Sequence, residues 1–102
     1  MAGARSSTRN KSAVEEKVRQ LLQEDRPDEA IALLDRFRTD GGRMDAGLFY
    51  LLGNAWRKKG DWQKAINNYL EAVHLDPASP ARQALEIANE ILAFYNKDMY
   101  NQ

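Results

Sequence analysis

Three observations predict an all-α fold of about five helices joined as antiparallel hairpins for this 102-residue chain. Apolar residues recur three and four positions apart in five successive blocks, the spacing that lays them along one side of a helix. Proline, glycine and aspartate stand between those blocks, where helices start and stop. No stretch alternates apolar and polar residues as a half-buried strand would.

The first block carries Val14, Val18, Leu21 and Leu22, and Ser12-Ala13-Val14-Glu15 ahead of it has the S-x-x-E spacing of a capping box, so a helix is expected to begin at Ser12. Asp25-Arg26-Pro27 interrupts the pattern, and Pro27 suits the first turn of a second helix, where its missing N–H is not needed. That helix places Ala30, Leu33, Leu34 and Phe37 together and stops at Gly41-Gly42, because glycine accepts the left-handed conformation beyond a helix end. Asp45 caps a third helix, with Phe49, Leu52, Gly53 and Trp56 on its core side and Gly60 at its end. Asp61 caps a fourth, with Trp62, Ala65, Ile66, Tyr69 and Val73 facing inward, and Asp76-Pro77 stops it. Ser79-Pro80 opens the last, with Ala84, Ile87, Ala88, Ile91 and Tyr95 at core spacing. Met99 and Tyr100 are apolar for a terminus, and Tyr95 to Met99 is one i, i+4 step. Partial helical continuation is expected there, with either residue covering an apolar strip.

Fifteen basic residues balance fifteen acidic ones, so no whole-molecule field draws in nucleic acid or an anionic membrane. There is no cysteine, which removes disulfides and thiolate sites and permits a reducing compartment; a cytoplasmic location is expected. No run approaches the ~20 apolar residues of a membrane span. Residues 1–11 read as a disordered basic tail carrying Arg5, Arg9 and Lys11, with an organelle presequence as the lesser reading.

The blocks repeat. Pro27-Asp28-Glu29-Ala30-Ile31 aligns with Trp62-Gln63-Lys64-Ala65-Ile66, 35 positions later. Phe49, Leu52, Gly53, Trp56, Ala65, Tyr69 and Pro77 fill, with conservative changes, the pattern W-x₂-L-G-x₂-Y…A-x₃-F…P. The chain thus resembles the tetratricopeptide repeat family, and Gly60-Asp61-Trp62 looks like the family's turn between paired helices. The resemblance implies hairpins stacked as a short right-handed superhelix. Residues 12–96 would form the domain: a degenerate repeat at 12–42, a full repeat at 45–78 and a closing helix at 79–96, followed by a tail at 97–102. Glycine inside a helix costs ~1 kcal/mol relative to alanine, so Gly53 implies a close neighbour. The resemblance puts that neighbour on the second helix of the same hairpin, near Ala65 and Tyr69.

Chemistry finds little support. His74 is the only histidine, which rules out a multi-histidine metal centre within one chain and leaves a catalytic triad without partners. Asp25, Asp28, Glu29 and Asp35 fall at a turn or on polar helix sides rather than in an apolar cleft. No phosphate-binding loop occurs, so neither an enzyme nor a cofactor is expected. Arg57-Lys58-Lys59 is a short basic run at a helix end, and nucleic-acid binding is not expected from it.

Helical repeats of this kind act as binding scaffolds. The resemblance implies that the first helix of each hairpin lines a concave groove that takes a peptide or helix. By the repeat register those residues are Glu15 and Arg19, then Tyr50, Asn54 and Arg57, then Leu85, Asn89 and Leu92. One subgroup grips chaperone tails with lysines, asparagines and an arginine. Here Glu15, Tyr50, Leu51 and Glu86 stand where most of those residues would, so chaperone-tail capture is disfavoured. The alternative is a structural module that self-associates through the closing helix and tail.

Overall fold

The computed structural model describes residues 10–100, and side chains as far as Tyr95. Five helices follow one another: α1 (Lys11–Gln23), α2 (Pro27–Thr39), α3 (Ala46–Lys58), α4 (Trp62–Leu75) and α5 (Ala81–Tyr100). No strand occurs among the described residues. Helices α1 with α2 and α3 with α4 form hairpins; α3 also packs on both helices of the first hairpin, and α5 packs on α4.

Three of the helices end in the same way. After α1, α2 and α3 the chain turns through a left-handed residue, Asp25 (φ 59°), Gly41 (φ 92°) and Gly60 (φ 83°). In each case the next N–H reaches back to the carbonyl three residues from the helix end: Arg26 to Leu21, Gly42 to Phe37 and Asp61 to Trp56, at 2.8 to 3.0 Å. This paired closure satisfies carbonyls that the helix end leaves open. Pro27 opens α2, and the Asp45 and Asp61 carboxylates cap α3 and α4 by accepting from the N–H groups of Leu48 and Lys64.

The start of α1 differs from expectation. The cap is Asn10, whose side chain accepts from the N–H groups of Ser12 and Ala13, so Ser12 lies inside the helix. Glu15 is therefore no capping-box partner and binds Arg19 at 2.7 Å instead. Asparagine is as good a cap as serine, and it comes first. At the other end α5 continues to Tyr100, so positions 97–100 are helical. Residues 1–9 and any contact made by the Met99 or Tyr100 side chains lie outside the described residues.

The core falls into two clusters. The first joins Val14, Val18, Leu21 and Leu22 to Ala30, Leu34 and Phe37 and to Leu48, Leu51, Leu52 and Ala55. The second joins Ala65, Ile66, Tyr69 and Ala72 to Ala81 and Ala88. Tyr50 and Trp56 pack against both and tie them together. Gly53 works as its position requires: a Cβ there would lie 2.5 Å from the Tyr69 ring, which is fully buried.

Two expectations for α5 are corrected. Ile87 and Tyr95, expected in the core, are 49% and 62% exposed. The inward line of this helix is Ala81, Leu85, Ala88 and Leu92 instead. The cause is a missing neighbour. Helix α3 is buried on several sides, at Leu48, Leu51, Leu52, Gly53 and Ala55, because three helices surround it, whereas α5 rests mainly on α4.

Candidate functional site

The candidate surface runs along α1, α3 and the start of α5. Two depressions lie on it. Arg19, Leu22 and Gln23 of α1 with Leu51 and Asn54 of α3 line one. Tyr50, Asn54 and Arg57 of α3 with Pro80, Gln83, Ala84 and Ile87 line the other. Asn54 lines both, so the two depressions adjoin and together make a candidate groove. Tyr50, Asn54 and Arg57 reach it together because they follow one another at i, i+4 and i+7.

Of the residues placed by the repeat register, Arg19, Tyr50, Asn54 and Arg57 line this groove. Leu85 and Leu92 pack instead against the cluster around Tyr69. Asn89 is exposed and lines neither depression. Residues equivalent by repeat stand 35 apart, but those that share the second depression, such as Tyr50 with Pro80, Asn54 with Ala84 and Arg57 with Ile87, stand 30 apart. Neighbouring helices are staggered, and a shift of five positions rotates the presented side by about 140°. Sequence reading took equivalence for adjacency and so missed Pro80, Gln83, Ala84 and Ile87. The i, i+3, i+4 and i+7 spacing of those four residues was the signal that could have found them.

The centre of the groove is polar and ordered. The Tyr69 hydroxyl, rising from α4, donates to Asn54 Oδ1 at 2.6 Å, and the Tyr50 and Tyr69 rings lie 6.1 Å apart at 39°. Burial pushes the Tyr69 pKa up, and the neighbouring Arg57 guanidinium pulls it part of the way back. With one acceptor site of its carbonyl oxygen occupied, Asn54 still has its amide N–H groups to offer. Arg19 is paired with Glu15, whereas Arg57 takes part in no ion pair among the described residues.

No carboxylate, histidine, serine or cysteine lines either depression. Among the described residues no group of three histidine, cysteine, aspartate or glutamate side chains could hold a metal ion. No helix among them is long and apolar enough to cross a membrane.

The tetratricopeptide repeat family profile matches residues 46–79, the α3–α4 hairpin with the turn that follows. Among solved structures, the chain is similar to the solution NMR structure of Bacteroides fragilis protein BF1650. The two share 44% sequence identity over 86% of this chain and 89% of that one, with a TM-score of 0.73. The search of curated proteins gives no significant match. Repeats of this family mediate protein–protein interactions and are generally non-catalytic. The hairpin profile, the five-helix architecture and this level of identity together place the chain in the tetratricopeptide repeat family.

Proposed function

We propose that the protein is a non-enzymatic adaptor that holds a segment of a partner protein in the concave groove. The observation that carries this reading is the row Tyr50, Asn54 and Arg57 on α3, facing Pro80, Ala84 and Ile87 across one depression. An aromatic ring offers contact area at low entropy cost, an amide bonds peptide groups, and a guanidinium holds an acceptor with parallel bonds. The unit that does this is residues 12–96, with repeats at 12–42 and 45–78 and the closing helix at 79–96. A cysteine-free chain suits the cytoplasm. In a pull-down with the intact protein, Arg57→Glu combined with Ile87→Ser is expected to abolish recovery of the partner at unchanged melting temperature. Alanine at Gln63, Asn67 and Glu71 on the opposite side of the stack should leave it intact. The reverse pattern would make the convex side the working surface.

One observation favours a second reading, self-association. Phe94 and Tyr95 near the end of α5 are 69% and 62% exposed and pack edge to face on each other at 5.8 Å. Light scattering at two concentrations tests it: a mass that rises with concentration in the parent and not in Phe94→Ser supports pairing through α5.

A further inference from the structure

The groove is one-sided in its charge, and this restricts what it binds. Its polar lining comprises Arg19, Gln23, Asn54, Arg57 and Gln83, with the Tyr50 hydroxyl, and no carboxylate. Asn54, at the centre, could have offered both a donor and an acceptor. Tyr69 occupies one of the two acceptor sites on Oδ1 from behind, and the amide N–H groups are left for a ligand. Arg57 stands one turn along α3 with no carboxylate partner among the described residues, and Arg19 stands in the first depression with donors to spare beyond its bond to Glu15. A guanidinium has five N–H groups and accepts nothing. Between these donors lie Leu22, Leu51, Tyr50, Ala84 and Ile87, which favour aliphatic side chains.

Resting on the groove reading above, we propose that the occupant is an internal, acidic and aliphatic segment of a partner polypeptide, bound on a donor surface that Tyr69 fixes through Asn54. The guanidiniums sit in separate depressions on either side of Asn54, so the complementary ligand carries two carboxylates. A chain terminus supplies one; acidic side chains along an extended segment supply both, while backbone carbonyls meet Asn54. Charge-assisted bonds of this kind are about twice as strong as neutral ones, so discrimination against an uncharged isostere follows. Tyr69 is a positioning residue in this scheme: it holds the amide in one orientation without touching the ligand. Glu15 is an internal competitor for Arg19.

The test uses the full chain and a blocked heptapeptide, acetylated and amidated, in which Glu and Leu alternate. Its comparators replace Glu by Gln or by Lys, and a further Gln peptide carries a free C-terminal carboxylate. Titration calorimetry is expected to show the Glu peptide binding about tenfold more tightly than the Gln peptide, with affinity falling as salt rises. Arg57→Gln should remove most of that preference. Tyr69→Phe keeps the ring against Gly53 and frees Asn54 Oδ1, so it should narrow the Glu-over-Gln preference several-fold while helix content is kept. Glu15→Gln should raise affinity for the Glu peptide two- to threefold, an effect that a merely structural role for Glu15 would not give. Amide shift mapping separates the failures. Equal affinity for the Glu and Gln peptides, with shifts at Tyr50, Asn54 and Ile87, overturns the acidic assignment and leaves the groove reading standing. Tighter binding of the free-carboxylate peptide than of the Glu peptide overturns the internal-segment assignment. Shifts confined to α4 or to Phe94 and Tyr95 overturn the groove reading itself.

Discussion

Helices α3 and α5 begin 35 residues apart, yet they are buried in different patterns. In α3, five of thirteen residues are buried, because α1, α2 and α4 enclose it. In α5 the buried residues among those whose side chains are described are two alanines, Ala81 and Ala88, with Leu85 and Leu92 half covered and Ile87 and Phe94 exposed. Amphipathic spacing says that a helix has an apolar side; the neighbours decide how much of its circumference is used. A helix enclosed on three sides needs apolar residues at positions that a single stripe does not contain, which is why Leu48, Leu51 and Ala55 complete the core of α3.

The contrast predicts the largest effect at Leu51. Leu51→Ala removes a side chain that is 3% exposed in the first cluster and should cost about 2–5 kcal/mol in denaturant unfolding. Ile87→Ala on α5 should change stability by less than about 0.5 kcal/mol. Equal costs at the two sites would mean that something covers α5 in solution. Next comes Gly53→Leu, which pushes a side chain into the Tyr69 ring and should cost about 1–3 kcal/mol. An unchanged melting temperature would show that α3 and α4 part easily.

The smallest expected effect concerns the helix starts. Partial burial opposes ionisation of Asp45 at the start of α3, but the Lys11 ammonium at 2.5 Å and the Leu48 N–H outweigh it and hold its pKa below the ordinary 3.8. A carboxyl depressed in the folded state stabilises fully above its unfolded value, and that contribution is lost as pH falls through the folded value. Asp45→Asn should therefore flatten the decline of melting temperature below about pH 4 and lower it slightly at pH 7. At the start of α5 the Ser79 hydroxyl accepts from the Ala81 N–H, and Ser79→Ala should leave that acid decline unchanged in shape.

The sequence carried the helices through residues whose physics is local. Pro27, Gly41, Gly60, Asp45 and Asp61 act within a few positions of themselves, and each stands where its backbone preference or side-chain reach predicts. Asn10 was missed because the S-x-x-E pattern beside it offers a competing cap of equal quality. Half of the groove was legible for a similar reason: Tyr50, Asn54 and Arg57 share one helix. The other half depends on how far α5 slides along α3, a quantity set by packing between helices, and a five-residue slide exchanges Leu85, Asn89 and Leu92 for Pro80, Ala84 and Ile87. The Tyr69–Asn54 bond joins residues fifteen apart on different helices, and neither residue type announces the other.

Every substantial helix contact joins elements adjacent or next but one in the chain. A fold wired this way closes only short loops on its route from the unfolded state. Low contact order places such chains among those that fold within microseconds to milliseconds. The same wiring grades opening from the native state: α3 cannot be released without breaking the contacts of three other helices, whereas α5 can detach by parting from α4. Amides of α5 should exchange with solvent through this partial opening, at a free energy below that of global unfolding. Because Ala84 and Ile87 ride on α5, the groove loses one wall in every such event. A ligand spanning α3 and α5 would therefore slow exchange along α5 more than anywhere else in the molecule.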